Sequence, residues 1–146
     1  MRLAAACDAL GLAALLPADG NEGLTTEAPE KQIYVANMQR LRGADGVVAN
    51  LACFRGLEPD SGTVFEVGAA VALGIPVVAY GVPEGSYADR VRSALPTRTG
   101  GDGVLRDADD MAVERFDLPL NLMLACSIRV ARTAEDALDL LLQRLG

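Results

Sequence analysis

Two carboxylates flank the start of one segment, Asp60-Ser61-Gly62-Thr63-Val64-Phe65-Glu66, and carboxylates placed in this way could serve as a nucleophile and its proton-transfer partner. If both were helical, six residues at about 100° each would set Asp60 and Glu66 on different faces. They converge only if Asp60 lies in the loop before the helix, and the Ser61-Gly62 pair allows that break. Read as lying in the first helical turn, Glu66 would feel the positive end of the macrodipole, which favours the ionised form a nucleophile needs. The same letters support two plainer readings. Thr63-x-x-Glu66 is a capping box, with Thr63 as N-cap and Glu66 reaching back to its amide. Ser61-Gly62-Thr63 could instead present amides to a phosphate. A further polar point is Asn121, inside the apolar stretch Leu118-Pro119-Leu120-Asn121-Leu122-Met123-Leu124. Its amide either caps a turn in a core or subunit-interface segment, or is aimed at a carboxylate or sugar hydroxyl.

Composition narrows the chemistry further. The 146 residues contain no histidine, which removes Ser-His-Asp triads, Cys-His dyads, His-ligated zinc and a His general base together. Acid–base or nucleophilic work is left to carboxylates, Lys, Tyr and Cys. Thirteen Lys and Arg against twenty Asp and Glu leave a net charge of −7, which argues against nucleic-acid polymers and anionic membranes as partners. Cys7, Cys53 and Cys126 form no CxxC pair, so neither a disulfide framework nor a thiolate metal site is expected, and a reducing cytoplasm is the expected location. With 51% apolar residues the chain can build one core, and residues 1–146 are read as a single domain.

These groups must be positioned by elements the pattern allows. Leu3, Ala6 and Leu10 recur at helical spacing before Gly11; Asp8 interrupts what would otherwise resemble a secretion signal. Ala13-Ala14-Leu15-Leu16 reads as a short buried strand, followed by turn chemistry over Pro17–Gly23. A helix from Glu27 runs through Ile33, Ala36, Met38 and Leu41 to Gly43, and Gly46–Leu51 is an apolar run of strand length. The polar loop from Cys53 to Thr63 leads into a helix over Val64–Leu73, and Gly74-Ile75-Pro76 into the strand Val77–Tyr80. A short helix over Tyr87–Leu95, a Gly/Asp-rich excursion over Pro96–Asp110 and a terminal helix over Ala134–Leu145 complete the chain. The Val67–Val82 run, broken by Gly74 and Pro76, is too short to span a bilayer. Strand, loop, helix, strand indicates an α/β sandwich whose polar loops lie at the carboxyl edge of a parallel sheet.

Taken together, Asp45-Gly46-Val47-Val48-Ala49-Asn50-Leu51, Phe54-Arg55-Gly56 and the stretch from Glu58 to Gly68 resemble the nucleoside 2-deoxyribosyltransferase family, and Asn121-Leu122-Met123-Leu124 is similar to that family's second motif. The resemblance runs from about Ile33 to Leu145. It implies a flavodoxin-like, doubly wound parallel sheet and transfer of a 2-deoxyribosyl group between nucleobases. Carried over, Glu66 would be the nucleophile forming a covalent glycosyl-enzyme with retention, and Asp60 would bind the base and assist proton transfer. Asn121, delivered from a neighbouring subunit, would orient the nucleophile and sugar hydroxyls, with Met123 packing nearby. Asn37, Asn50, Phe54, Arg55 and Gly62 would line the substrate pocket. Substrates would be a small 2'-deoxyribonucleoside and a free nucleobase, with no cofactor and no metal, in a homo-oligomer with shared active sites. Such a transfer uses carboxylates and needs no histidine.

The resemblance carries alternatives. Family members open with a strand of the type Ile-Tyr-Leu-Ala-Gly-Pro, whereas this sequence begins at the helix that follows it, so that central strand is expected to be missing. The related nucleoside 5'-monophosphate N-glycosidases pass the sugar to water instead. They tend to carry a hydroxyl residue where Asp60 stands, and a carboxylate there would repel a phosphate. A non-catalytic nucleoside- or nucleotide-binding module is the reading from outside enzymology.

Overall fold

The computed structural model describes residues 3–16 and 28–146. In chain order the elements are α1 (Leu3–Ala9), α2 (Pro29–Arg42), β1 (Val47–Asn50), α3 (Ser61–Ala72), β2 (Val77–Tyr80), α4 (Tyr87–Ala94), β3 (Arg98–Thr99), β4 (Leu105–Arg106), α5 (Leu122–Ala125), β5 (Arg129–Val130) and α6 (Ala134–Leu145).

The centre is a parallel sheet of order β1-β2-β5, in which Val47 pairs with Val77 and Asn50 with Tyr80, while Val78 and Ala79 pair with Arg129 and Val130. Because strand side chains alternate, consecutive residues serve opposite layers. Val47, Ala49, Val77 and Ala79 pack against Met38 and Leu41 of α2, Val67 and Ala70 of α3, and Leu120 and Leu124 near α5. Val48, Val78 and Tyr80 turn the other way, onto Ala137, Leu138 and Leu141 of α6 and Ala6 and Cys7 of α1. Both faces of the sheet are therefore covered by helices, which is why β1 and β2 are almost continuously apolar. Among the described residues no strand pairs with the other edge of β1.

Several expected elements need correction. Ala13–Leu16 is irregular, with Leu15 and Leu16 exposed, and among the described residues no strand pairs with it. Leu10 falls just past α1 and is also exposed, the chain turning at Gly11 with φ of +72°. α3 starts at Ser61 rather than Val64. The Pro96–Asp110 excursion contains the antiparallel β3–β4 pair, and the two-residue β5 was not foreseen. The Pro17–Gly23 loop and the Glu27 helix start lie outside the described residues. Among the described residues, no helix is long and apolar enough to cross a membrane.

Parallel strands end at a common edge, so the loops after β1 and β2 meet there. Two glycines allow close packing around the sheet. A Cβ at Gly46 would stand 2.7 Å from Leu141 Cδ1, so glycine lets α6 settle on the sheet. At Gly81, directly after β2, φ is +71° and a Cβ would collide with Asn50 Oδ1. Gly81→Ala is expected to lower stability by at least about 1 kcal/mol, combining backbone strain and that collision, as read by urea denaturation. An unchanged midpoint would contradict the close packing of the two strand ends.

Candidate active site

The loop after β1 is anchored by Leu51, which is fully buried and donates its amide to Tyr80 O at 2.9 Å. Beyond it the chain folds on itself: Phe54 N donates to Glu58 O at 2.8 Å and Cys53 Sγ to Leu57 O at 3.3 Å. Asn50 turns its Oδ1 to the Ala52 amide at 3.1 Å. Phe54 is left half exposed with the Arg55 guanidinium 4.9 Å above its ring, and Arg55 itself takes φ of +54°. Asn50 thus shapes the loop, while Phe54 and Arg55 form its outer surface.

Asp60, not Thr63, is the N-cap of α3. Its backbone is non-helical (φ −59°, ψ 129°), and its Oδ2 accepts from Thr63 N at 2.9 Å and Thr63 Oγ1 at 3.1 Å. Asp60 therefore lies in the loop before the helix, the arrangement needed for it to approach Glu66. The Thr63 amide foremost, then the Thr63 hydroxyl, the Gly62 amide and the Arg55 charge, hold its carboxyl below the usual carboxylate range, with partial desolvation opposing them. Gly62 sits tightly in this turn, where a Cβ would be 3.1 Å from Asp60 Oδ2.

With the cap at Asp60, Glu66 falls in the second turn, and the expected Thr63–Glu66 capping box and first-turn macrodipole contact are both absent. The Glu66 side chain crosses instead to α2, where Asn37 Nδ2 donates to its Oε1 at 3.2 Å. Arg40 Nη1 donates to Asn37 Oδ1 at 2.9 Å, which fixes the sense of the amide and so turns its N–H₂ towards Glu66. Side chains on a helix lean towards its N-terminus, so Glu66 leans back along the roughly 9 Å of axis that separates it from Asp60.

Asn121 is placed on the other side of α3. It is the N-cap of α5, its Oδ1 accepting from Met123 N at 2.9 Å, which is the turn-capping reading of this residue. Together with Met123, which is 71% exposed, it borders a cavity of about 690 Å³ that also touches Glu58, Ser61, Val64 and Gly68. Glu66 is two residues from both Val64 and Gly68, about 200° around the helix, so it points away from that cavity. One chain therefore brings Asn37 to Glu66 and Asp60 to the same helix start, but keeps Asn121 and Met123 on the far side of α3.

Residues without a sequence signal hold this geometry. Glu114 accepts from Asn121 Nδ2 at 2.7 Å and from Leu122 N at 3.0 Å, from a stretch with no periodic pattern. Tyr87 N donates to Leu118 O at 2.8 Å, and Arg90 Nη2 to Pro119 O at 2.6 Å, so α4 clamps the segment before Asn121. Burial, the hydrogen bond to Glu58 and the charges of Glu58 and Glu114 push the Tyr87 phenol up to about 12, against the opposing charge of Arg90. Arg40 was missed as well, although its place three residues after Asn37 on a helix is a signal that could have found it. Among the described residues, no group of three Cys, Asp or Glu side chains could hold a metal ion.

The family model described as nucleoside 2-deoxyribosyltransferase matches residues 1–123, starting ahead of Ile33 and ending at Met123. The chain is similar to the solved 2-desoxiribosyltransferase from Leishmania mexicana, with 29% identity and a TM-score of 0.72, over 95% of this chain and 81% of that one. Nothing matches among curated proteins.

Asn is as good an N-cap as Asp, so Asp60→Asn should melt closer to wild type at neutral pH than Asp60→Ala. A depressed carboxyl adds stability that is complete above its unfolded value near 3.8 and is lost as pH falls through the lower folded value. The wild-type advantage in Tm over Asp60→Asn should therefore shrink as pH is lowered from about 5 to about 2. A gap that does not depend on pH would contradict the charged cap.

Proposed function

The chain belongs to the nucleoside 2-deoxyribosyltransferase family, and on that premise we propose that it exchanges nucleobases on a 2-deoxyribosyl group through a covalent intermediate on Glu66. The observation that carries this reading is the freedom of Glu66 from helix capping. Its carboxylate is held by an amide that Arg40 orients, in the second turn of the helix that Asp60 caps.

In the first half-reaction a Glu66 oxygen bonds to the anomeric carbon from the face opposite the base. The carbon–nitrogen bond breaks, and its electron pair leaves on the base, which takes up one proton. In the second half the ring nitrogen of an incoming base attacks the same carbon, the Glu66–carbon bond breaks, and the incoming base loses one proton. Two inversions give retention, and the protons balance over the cycle. Asp60, at the start of α3, takes the proton of the incoming base and passes it to the next departing one. The Asn37 amide on Oε1 directs the other Glu66 oxygen to the sugar. A deoxyribosyl group lacks the 2-hydroxyl, so its oxocarbenium-like transition state is easily reached and the carboxylate charge stabilises it. Asn50, Phe54, Arg55 and Gly62 bound the base side of the pocket.

Asn121 and Met123 face away from Glu66 in their own chain, which supports a site completed by Asn121 of a second copy, and hence a homo-oligomer. The cavity beside Asn121 and the exposed Met123 lie on the surface that such a neighbour would use.

Incubated with a 2'-deoxyribonucleoside and a different free base, the protein should form the new deoxynucleoside, and Glu66→Ala should lower that rate by roughly 1,000-fold or more. Because Glu66 is no cap, the variant should keep its stability to within about 0.5–1 kcal/mol. Exchange surviving in Glu66→Ala would remove the nucleophile, and free base released without exchange would make the protein a hydrolase.

A further inference from the structure

Asn121 has two side-chain hydrogen bonds that leave it little freedom. Its Oδ1 is engaged by the Met123 amide at 2.9 Å, and one N–H of Nδ2 by Glu114 Oε1 at 2.7 Å. The second Glu114 oxygen accepts the Leu122 amide at 3.0 Å, so one carboxylate grips both the side chain of Asn121 and the backbone that follows it. A short charge-assisted bond of this kind is among the stronger ones available. It also settles which end of the amide is nitrogen, since a carboxylate only accepts. What Asn121 has left to offer a ligand is its remaining N–H, in a direction set by Glu114, and the second lone pair of Oδ1.

We propose that Glu114 is a positioning residue for the glycosyl transfer: it fixes the direction in which Asn121 presents its free N–H to the deoxyribosyl site. The inference rests on the role proposed for Asn121 and adds a group that the motif residues do not include. Glu114 touches no reacting atom and acts through Asn121 alone. Its own anchorage is shared with α4, since Tyr87 and Arg90 bind the carbonyls of Leu118 and Pro119 between the two residues. Gln at position 114 supplies one acceptor for two donors, so it should hold Asn121 only in part.

The test is a double-mutant cycle in the base-exchange assay, with folding of each variant checked by circular dichroism. Glu114→Ala should lower kcat roughly 10- to 100-fold with little change in KM, as expected for misdirection of a bound group. Glu114→Gln should fall between wild type and Glu114→Ala. In an Asn121→Ala background, Glu114→Ala should cause no further loss. The same loss in both backgrounds, or a rise in KM alone, would overturn the proposal by making Glu114 a general support of the fold. A second readout does not require turnover: the side-chain amide pair of Asn121 in a ¹⁵N spectrum, identified by its disappearance in Asn121→Ala, should shift in Glu114→Gln. An unmoved pair overturns the contact. Should wild type exchange no base at all, the activity reading fails, while the spectrum still decides whether Glu114 holds Asn121.

Discussion

The arrangement of the candidate site depends on where α3 begins. Asp60 takes the Thr63 amide and hydroxyl on one oxygen, and the phase of every later residue in the helix follows from that choice. Val67 and Ala70 are turned to the sheet, Ser61, Val64 and Gly68 to the cavity, and Glu66 to α2. Had Thr63 been the cap, Glu66 would have been drawn back to the backbone and lost to chemistry. A single capping bond thus frees the second carboxylate by occupying the first.

Two supports stand on either side of that helix. On one side Arg40 orients Asn37, and Asn37 meets Glu66. On the other, Glu114 and the clamp from α4 hold the turn that begins at Asn121. Each is a short chain of polar side chains in which a charged residue sets the sense of a neutral amide, so the amide presents a chosen edge. The sheet supplies the common frame, since β1 and β2 run parallel and deliver their loops to one edge.

Much of this was legible in the sequence where periodicity and chain-terminating residues coincide. α2 ends at Gly43, β2 follows Gly74-Ile75-Pro76, and β1, α4 and α6 lie close to their expected spans. Ala13–Leu16 misled because four apolar residues make a strand only beside a partner, and sequence alone does not place the partner. β5 escaped because it has two residues, both exposed, and so no alternation to read. At the site, the pair Asp60 and Glu66 stood out by spacing, but two good capping residues three apart left the helix start ambiguous. Glu114 had no signal, because its partner lies seven residues away through irregular chain. The opposition of Asn121 and Glu66 across α3 needed the phase of the helix and the path of the loop together.

In the proposed transfer, one chain offers Glu66 and another offers Asn121 to the same sugar. Its most direct test is subunit complementation: Glu66→Ala and Asn121→Ala, each strongly impaired by itself, are co-expressed with different tags and the mixed complex is purified through both. Base exchange in the mixed complex well above that of either parent is the predicted result, because one mixed interface pairs an intact Glu66 with an intact Asn121. A purified mixed complex no faster than its parents, or a protein that is monomeric while exchanging bases, would contradict the shared site.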